Sequence, residues 1–346
     1  MLNSHTRTGE LYRSIGEGRI ECFACGHRCK IGEGKDGICK IRFNRGGKLF
    51  VPWGYVGSLA LDPIEKKPFF HALPGSLAMS FGMLGCDYHC SFCQNWITSQ
   101  TLRDPHAVSN IEKISPEEIV LSARQHKAQI ITSTYNEPLI TSEWGVEVFK
   151  IAKRSKLVTS FVSNGNGTPE VVDYLRPWLD LFKIDLKGFN DKRYRELGGV
   201  LQNVLDTIKL AYDKKFWVEI VTLIIPGFND SKKELTNIAS FIKSVSADIP
   251  WHVTAFHSDY KMTDVPYTPV DTIIKAVKIG YDAGLHYVYA GNIPGAVRNF
   301  ENTYCHSCDE LLIERWGFNV RKNRLKDGHC PKCETSIPGV WKFIRD

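Results

Sequence analysis

Three observations predict an α/β fold, a partial (β/α)6-type barrel with N-terminal and C-terminal cysteine-rich metal-binding modules. Between residues 76 and 300, short apolar and β-branched runs alternate with helix starts, the pattern of a parallel sheet covered by crossover helices. That strand-then-helix unit recurs six or seven times, short of the eight that close a complete barrel. The 11 cysteines fall into three groups, two of which lie outside the repeating region. The organisation expected is a module at 1–75, the barrel at 76–300 and a second module at 301–346.

The strand runs, in order, are "LAMSFG" (77–82), "QIITSTY" (129–135), "LVTSFVSNG" (157–165), "LDLFKIDLKG" (179–188), "FWVEIVTLIIPG" (216–227), "WHVTAF" (251–256) and "LHYVYAG" (285–291). Helix starts follow from hydroxyl residues placed before proline: Ser115-Pro116, Thr168-Pro169 and Thr268-Pro269. Ser231-x-x-Glu234 has the spacing of a capping box. The strand C-termini carry "GCDYHC", "TYNEP", "SNGNG", "DLKG", "IPGFND" and "FHSDYK". In parallel α/β folds the loops at that end build the active site.

Composition narrows the class. The 346 residues are 43% hydrophobic and 24% charged, ordinary for a globular protein. A net charge of +6 is too mild to point to nucleic acid by itself. "MLNSHTRTGELYR" lacks the apolar segment of a signal peptide, and "WVEIVTLIIPGF" is too short for a bilayer span. A cytoplasmic protein without membrane insertion is expected. In that compartment thiols stay reduced, so the cysteines point to metal or redox chemistry rather than to disulfides.

The middle group, Cys86, Cys90 and Cys93, has the spacing C-x3-C-x2-C. Three thiolates are one short of a structural zinc site or of a fully ligated [4Fe–4S] cubane. A cubane held by three leaves one iron open to the amine and carboxylate of S-adenosylmethionine (SAM), whose reductive cleavage gives a carbon-centred radical. The competing reading is a zinc ion with His89 or a distant histidine as fourth ligand.

This spacing, with Phe92 just before the last cysteine, resembles the signature of the radical SAM superfamily. "CQNW", "TYNEP", "SNG", "DLK", "IPGFND" and the "FH" at 256–257 follow in the order seen in pyruvate formate-lyase activating enzymes. Together with "CFACGHRC…GICKIR", "WHVTAFHSDYKM", "YVYAGNIPG" and the C-terminal cysteines, the chain resembles the AmmeMemoRadiSam system radical SAM enzymes. The resemblance implies a one-electron reductant such as flavodoxin or ferredoxin, and a small-molecule, peptide or protein substrate.

It also implies SAM contacts. Glu137, beside Asn136, stands where relatives have Gly-Gly-Glu-Pro and would accept from the methionyl ammonium, with Tyr135 and Asn136 replacing the glycines. Ser163 and Asn164 would meet the ribose or methionine, although Val162 replaces an aspartate of the activating enzymes. Asp185 and Lys187 lie two apart and so share a face, Lys187 suiting the SAM carboxylate. A pair that merely closes the barrel mouth is the plainer alternative. His257 ends the sixth strand as a contact to SAM or substrate, with Asp259, Tyr260, Lys261 and Asn292 as further candidates.

In the flanks, Cys305-x2-Cys308 and Cys330-x2-Cys333 have the form of a zinc ribbon. The basic and aromatic stretch between them, "ERWGFNVRKNRLKDG", reads as a solvated hairpin before it reads as a nucleic-acid surface. Cys22, Cys25, Cys29 and Cys39 offer four more thiolates, for zinc or an auxiliary iron–sulfur cluster, with His27 able to replace one. Radical modification of RNA and a non-catalytic multi-zinc adaptor remain rival functions.

Overall fold

The computed structural model describes residues 4–297 and 299–342. The seven runs form seven parallel strands of one 8-stranded sheet, in the spatial order of the chain. They are β2 (Leu77–Gly82), β3 (Ile130–Ser133), β4 (Val158–Ser163), β5 (Leu181–Asp185), β6 (Trp217–Ile224), β7 (Trp251–Ala255) and β8 (Val288–Gly291). β1 (Ser58–Pro63), outside the seven predicted runs, pairs antiparallel with β2. Pro63 at its end, where no ladder N–H is needed, is compatible with an edge strand. β1 and β8 are the two edges of the sheet, so the barrel is open as expected.

Crossovers are α1 (Pro116–Gln125), α2 (Ser142–Arg154), α3 (Pro169–Leu175), α4 (Asp191–Glu196), α5 (Leu201–Asp213), α6 (Lys232–Val245) and α7 (Val270–Asp282). α1 begins with a full capping box, Ser115 Oγ accepting from Glu118 N while the Glu118 carboxylate accepts from Ser115 N. Two expected caps turn out differently. Ser231 Oγ accepts from Glu234 N at 3.2 Å, but the Glu234 carboxylate reaches Phe189 N rather than back to Ser231. Thr268 does not cap α7, whose N-cap is Pro269. Its hydroxyl instead accepts from Phe256 N and donates to Ile224 O, tying the exits of β6 and β7 together.

The sheet has two chemically distinct faces. Phe81, Ile131, Phe161, Phe182, Ile184 and Ile220 lie in the main hydrophobic cluster with the inner faces of the helices. The alternate positions Ser80, Thr132, Ser160, Lys183, Glu219, His252 and Thr254 are polar and buried. Period-two alternation sends these side chains to the inside of the barrel. Thr132 and Ser160 bond each other at 2.6 Å, and Lys183 stands in register with Glu219.

A polar network fills the N-terminal end of the barrel. Glu219 accepts from Phe70 N, His71 N, Trp217 Nε1 and His252 Nε2. His71 bonds Pro338 O at 2.7 Å and Tyr289 Oη at 2.6 Å. The C-terminal hairpin, Leu311–Trp316 with Asn319–Asn323, inserts Arg315 here. The Arg315 guanidinium donates to Phe70 O and Thr303 Oγ1 and lies 4.3 Å from the centre of the Phe70 ring. Arg321, Lys322 and Asn323 on the opposite strand are exposed, as a solvated hairpin requires. Among the described residues, no helix is long and apolar enough to cross a membrane.

At the other end of the chain, Arg42 and Glu143 form a bidentate pair at 2.6 and 2.7 Å, both side chains buried. Glu143 also accepts from Glu10 N and Leu11 N, so one carboxylate on α2 fastens two N-terminal segments to the barrel. Removing one partner of such a pair would strand a buried charge, typically costing about 3–5 kcal/mol.

The His71 site predicts an acid-sensitive stability. Burial, reinforced by the positive charges of Arg315 and His252, lowers His71 from 6.5 to about 4, against the opposing pull of Glu219. Below pH 6.5 the unfolded chain takes up a proton that the folded protein refuses until about pH 4, so stability falls across that window. Replacement His71→Gln should remove about 3 kcal/mol of that pH dependence. Denaturant unfolding measured from pH 7 to 4 checks it, an unchanged acid limb being the contrary result.

Candidate active site

β2 delivers the chain directly to the cysteine triplet. Gly82 is required at its end, since a Cβ there would sit 2.3 Å from Thr134 O. Gly85 has a φ of 90°, a left-handed conformation that glycine adopts freely, and packs against Cys39 O. Asn136 Oδ1 accepts from Met83 N at 3.0 Å, fixing the strand exit from the neighbouring loop.

Asp87, between the first two cysteines, is fully buried. Its carboxylate accepts from Asn164 Nδ2 at 2.7 Å and Asn166 Nδ2 at 2.8 Å, both asparagines of "SNGNG". Two loops from adjacent regions of the barrel mouth are thereby joined through one side chain. Glu137 makes a second junction: it accepts from Leu139 N, from Ser163 Oγ at 2.6 Å and from Asn164 N at 2.8 Å. A carboxylate has room for about four such bonds, so one acceptor direction is left. Burial, then the nearby Asp87 charge, raises Glu137 to about 8.

A cavity of about 380 Å³ opens inside the barrel, a size common for small-molecule sites. Cys86, Cys90, Phe92, Cys93, Asn136, Glu137, Ser163, Asn164, Asp185 and Lys187 all line it. The structure thus brings together every sequence-derived SAM-site residue except His257. His257 is exposed at the rim and bonds Gln94 Nε2 at 3.0 Å. Asn292 lines the cavity, whereas Tyr260 and Lys261 turn to Asp104. A second cavity, about 420 Å³, lies by Asp180 and Trp217 at the N-terminal ends of the strands. Among the described residues its wall holds no thiol, whereas three line the first.

Several lining groups escaped the sequence reading. Lys183 lies two residues before Asp185 on the same face of β5, and both Lys183 and Lys187 pair with Asp185. Burial alone would raise Asp185; the two ammonium groups instead hold it at about 2. Burial likewise works against a charged Lys187, but Asp185 and Cys90 more than offset it. Two ammonium groups thus flank one carboxylate in the cavity wall. Tyr135 holds a φ of 67°. Its hydroxyl donates to Asp62 at 2.8 Å and accepts from Lys67 at 3.0 Å, anchoring that strained residue. Period-two counting back from Asp185 reveals Lys183; nothing local reveals the Tyr135–Asp62 contact.

Burial raises all three thiols, Cys90 to about 12, so taking up a metal would release protons. Two of the sulfurs already have hydrogen-bond partners: Tyr88 N donates to Cys86 Sγ at 3.3 Å, and Ser99 Oγ lies 3.2 Å from Cys93 Sγ. No fourth cysteine and no histidine lines the cavity among the described residues. His89 packs instead against Gly198. The donor set therefore fits a cubane with an open iron better than a four-ligand zinc ion.

The outer groups differ from each other. Sγ atoms of Cys305, Cys308, Cys330 and Cys333 all lie within 4.8 Å of one another, with pairs at 3.6 and 3.7 Å. Tetrahedral bonds of about 2.3 Å place thiolates roughly 3.8 Å apart, so this set is shaped for one zinc-sized ion. Phe318, at the tip of the same module, lines the barrel cavity. In the N-terminal group Cys22, Cys25 and Cys39 are buried, and Arg42 Nε donates to Cys22 Sγ at 3.3 Å. His27 Nε2 is buried without a hydrogen-bond partner and lies 3.9 Å from Asp87.

Residues 82–241 match the family model of the radical SAM superfamily. Over 317 residues the chain is 38% identical to an uncharacterized protein of Methanocaldococcus jannaschii, covering 91% of this chain and 93% of that protein. It is 23% identical over 201 residues to the pyruvate formate-lyase-activating enzyme of Clostridium pasteurianum, covering 52% of this chain and 80% of that enzyme. The crystal structure of a radical SAM methyltransferase from Sphaerobacter thermophilus superposes with a TM-score of 0.50 at 15% identity, covering 69% of this chain and 71% of that one. At that identity the likeness concerns the fold.

Replacing Asp87 tests the loop junction. Asp87→Ala should strand two buried amides and cost about 3 kcal/mol or more in denaturant unfolding. A loss below about 1 kcal/mol would show that the triplet loop is held by other contacts.

Proposed function

We propose, from the radical SAM superfamily domain matched at residues 82–241, that Cys86, Cys90 and Cys93 hold a [4Fe–4S] cluster at which SAM is reductively cleaved. One observation carries the reading: three thiols from a single loop share a cavity with a lysine–aspartate–lysine row and with the Glu137–Ser163–Asn164 junction, and among the described residues no fourth cysteine and no histidine lines it. When bound, the cluster supplies one electron to the sulfonium, giving methionine and a 5′-deoxyadenosyl radical.

The chain's own residues bind and orient. Lys187, kept charged by Asp185, receives the SAM carboxylate, and Lys183 holds Asp185 in place. The remaining acceptor direction on Glu137 meets the methionyl ammonium, while Ser163 and Asn164 position the ribose or methionine. Asn136 sets the loop beneath them, and Phe92 contributes apolar wall that limits water at the radical. His257, at the rim, meets substrate or the outer part of SAM.

Similarity to pyruvate formate-lyase-activating enzymes supports a related reaction, hydrogen abstraction from a glycine of a partner polypeptide. The flanking modules at 1–75 and 301–346 support placing the chain among the AmmeMemoRadiSam system enzymes. Zinc in the C-terminal four-cysteine site, a flavodoxin- or ferredoxin-type reductant and a cytoplasmic setting complete the reading.

Anaerobic protein given dithionite and SAM should release methionine and 5′-deoxyadenosine, quantified by chromatography. Cys90→Ala should abolish the release, and Lys187→Ala should raise the SAM concentration for half-maximal rate by roughly tenfold, the loss of one charged contact. A colourless protein carrying zinc alone, or deoxyadenosine formation that survives Cys90→Ala, would overturn the proposal.

A further inference from the structure

We propose that Cys22, Cys25, Cys29 and Cys39 hold a second iron–sulfur cluster, an electron-transfer group seated directly behind the triplet loop. The metal site stands on its own geometry, whereas its electron-transfer role rests on the reading above.

Four thiols from one N-terminal segment gather here, three of them buried and the fourth partly so. Cys25 and Cys39 sit in an apolar cluster with Ile41 and Ile140, shielded from solvent. Two N–H groups point at sulfur: Arg42 Nε at Cys22 (3.3 Å) and Ile38 N at Cys29 (3.5 Å). Hydrogen bonds to sulfur and low solvent exposure are the means by which a protein tunes a cluster's potential. The spread of the thiols also matters. Among the described residues, the C-terminal four are the set whose ligand atoms all fall within 4.8 Å, the size of a single ion's shell. The N-terminal four do not meet that limit, so they are spread more widely than the ligands of a single ion, as a polynuclear cluster needs.

Position supplies the function. Cys39 O packs against Gly85, the residue before Cys86. Gly26 N donates to Asn166 O, and Asn166 Nδ2 donates to Asp87. The N-terminal site is thus built onto the same buried carboxylate that holds the triplet loop. One electron leaves a reduced low-potential carrier, a flavin or iron–sulfur protein, which is oxidised by one. The N-terminal cluster is reduced by one and returns to its starting state as the electron passes to the triplet. No proton or leaving group is involved.

The test is reconstitution of the full chain with ferrous iron and sulfide under anaerobic conditions. A Cys86→Ala/Cys90→Ala/Cys93→Ala variant should retain about four irons and a reducible paramagnetic signal, against about eight irons in the unaltered chain. Cys25→Ser/Cys39→Ser should lose that second set and keep about four, giving the reciprocal count even if the triple variant misfolds. Zinc in place of iron in the triple variant, together with about four irons in the unaltered chain, would overturn the site. With reduced flavodoxin as donor, Cys25→Ser/Cys39→Ser should slow deoxyadenosine formation at least tenfold while dithionite still drives it. Equal rates with both donors would remove the electron-transfer role. About eight irons without any SAM cleavage would leave this site standing and defeat the function proposed above.

Discussion

The buried Asp87 carboxylate is the constraint on which the cysteine loop depends. A charge fully removed from water is tolerated only where donors surround it, and here they are the amides of Asn164 and Asn166. Those amides belong to the loop after β4, and Asn166 also bonds to the N-terminal module through its carbonyl. One side chain within the triplet therefore sets the distance between the cysteine loop, the neighbouring strand exit and the flank. Glu137 repeats the device one strand away, with Ser163 and Asn164 as donors.

The barrel reconciles two demands that usually conflict. Its outer face is packed with large apolar side chains, which drives folding, while its inner face is polar enough to hold a zwitterion. The inner charges are kept by pairing: Lys183 and Lys187 with Asp185, Lys67 with Asp62, His252 with Glu219. The last of these lies in the network that Arg315 and His71 complete at the closed end. Consequently the C-terminal module does two jobs, plugging the base of the barrel and extending Phe318 to the cavity.

Local rules carried much of the fold. Runs of apolar and β-branched residues located all seven parallel strands to within a few positions, because strands covered on one face by helices must be apolar there. The Ser115 and Thr168 caps were legible for the same local reason, a hydroxyl beside proline at a helix start. Thr268 and Glu234 were not, since each satisfies a backbone group on a distant segment rather than on its own helix. β1 was hidden because an edge strand is specified by its partner β2 more than by its own composition.

For the site, the sequence by itself determined the donor atoms: three thiols in one loop, four more at either end, and polar residues at strand C-termini. Residue type and spacing suffice there, since ligand chemistry is a property of the side chain. Only the tertiary structure decided which groups meet. It placed Tyr135 on Asp62 and Lys67, moved His257 to the rim and set the N-terminal cysteines against the triplet loop. Such contacts join residues tens of positions apart, and their formation depends on burial and register, which no local stretch of chain encodes.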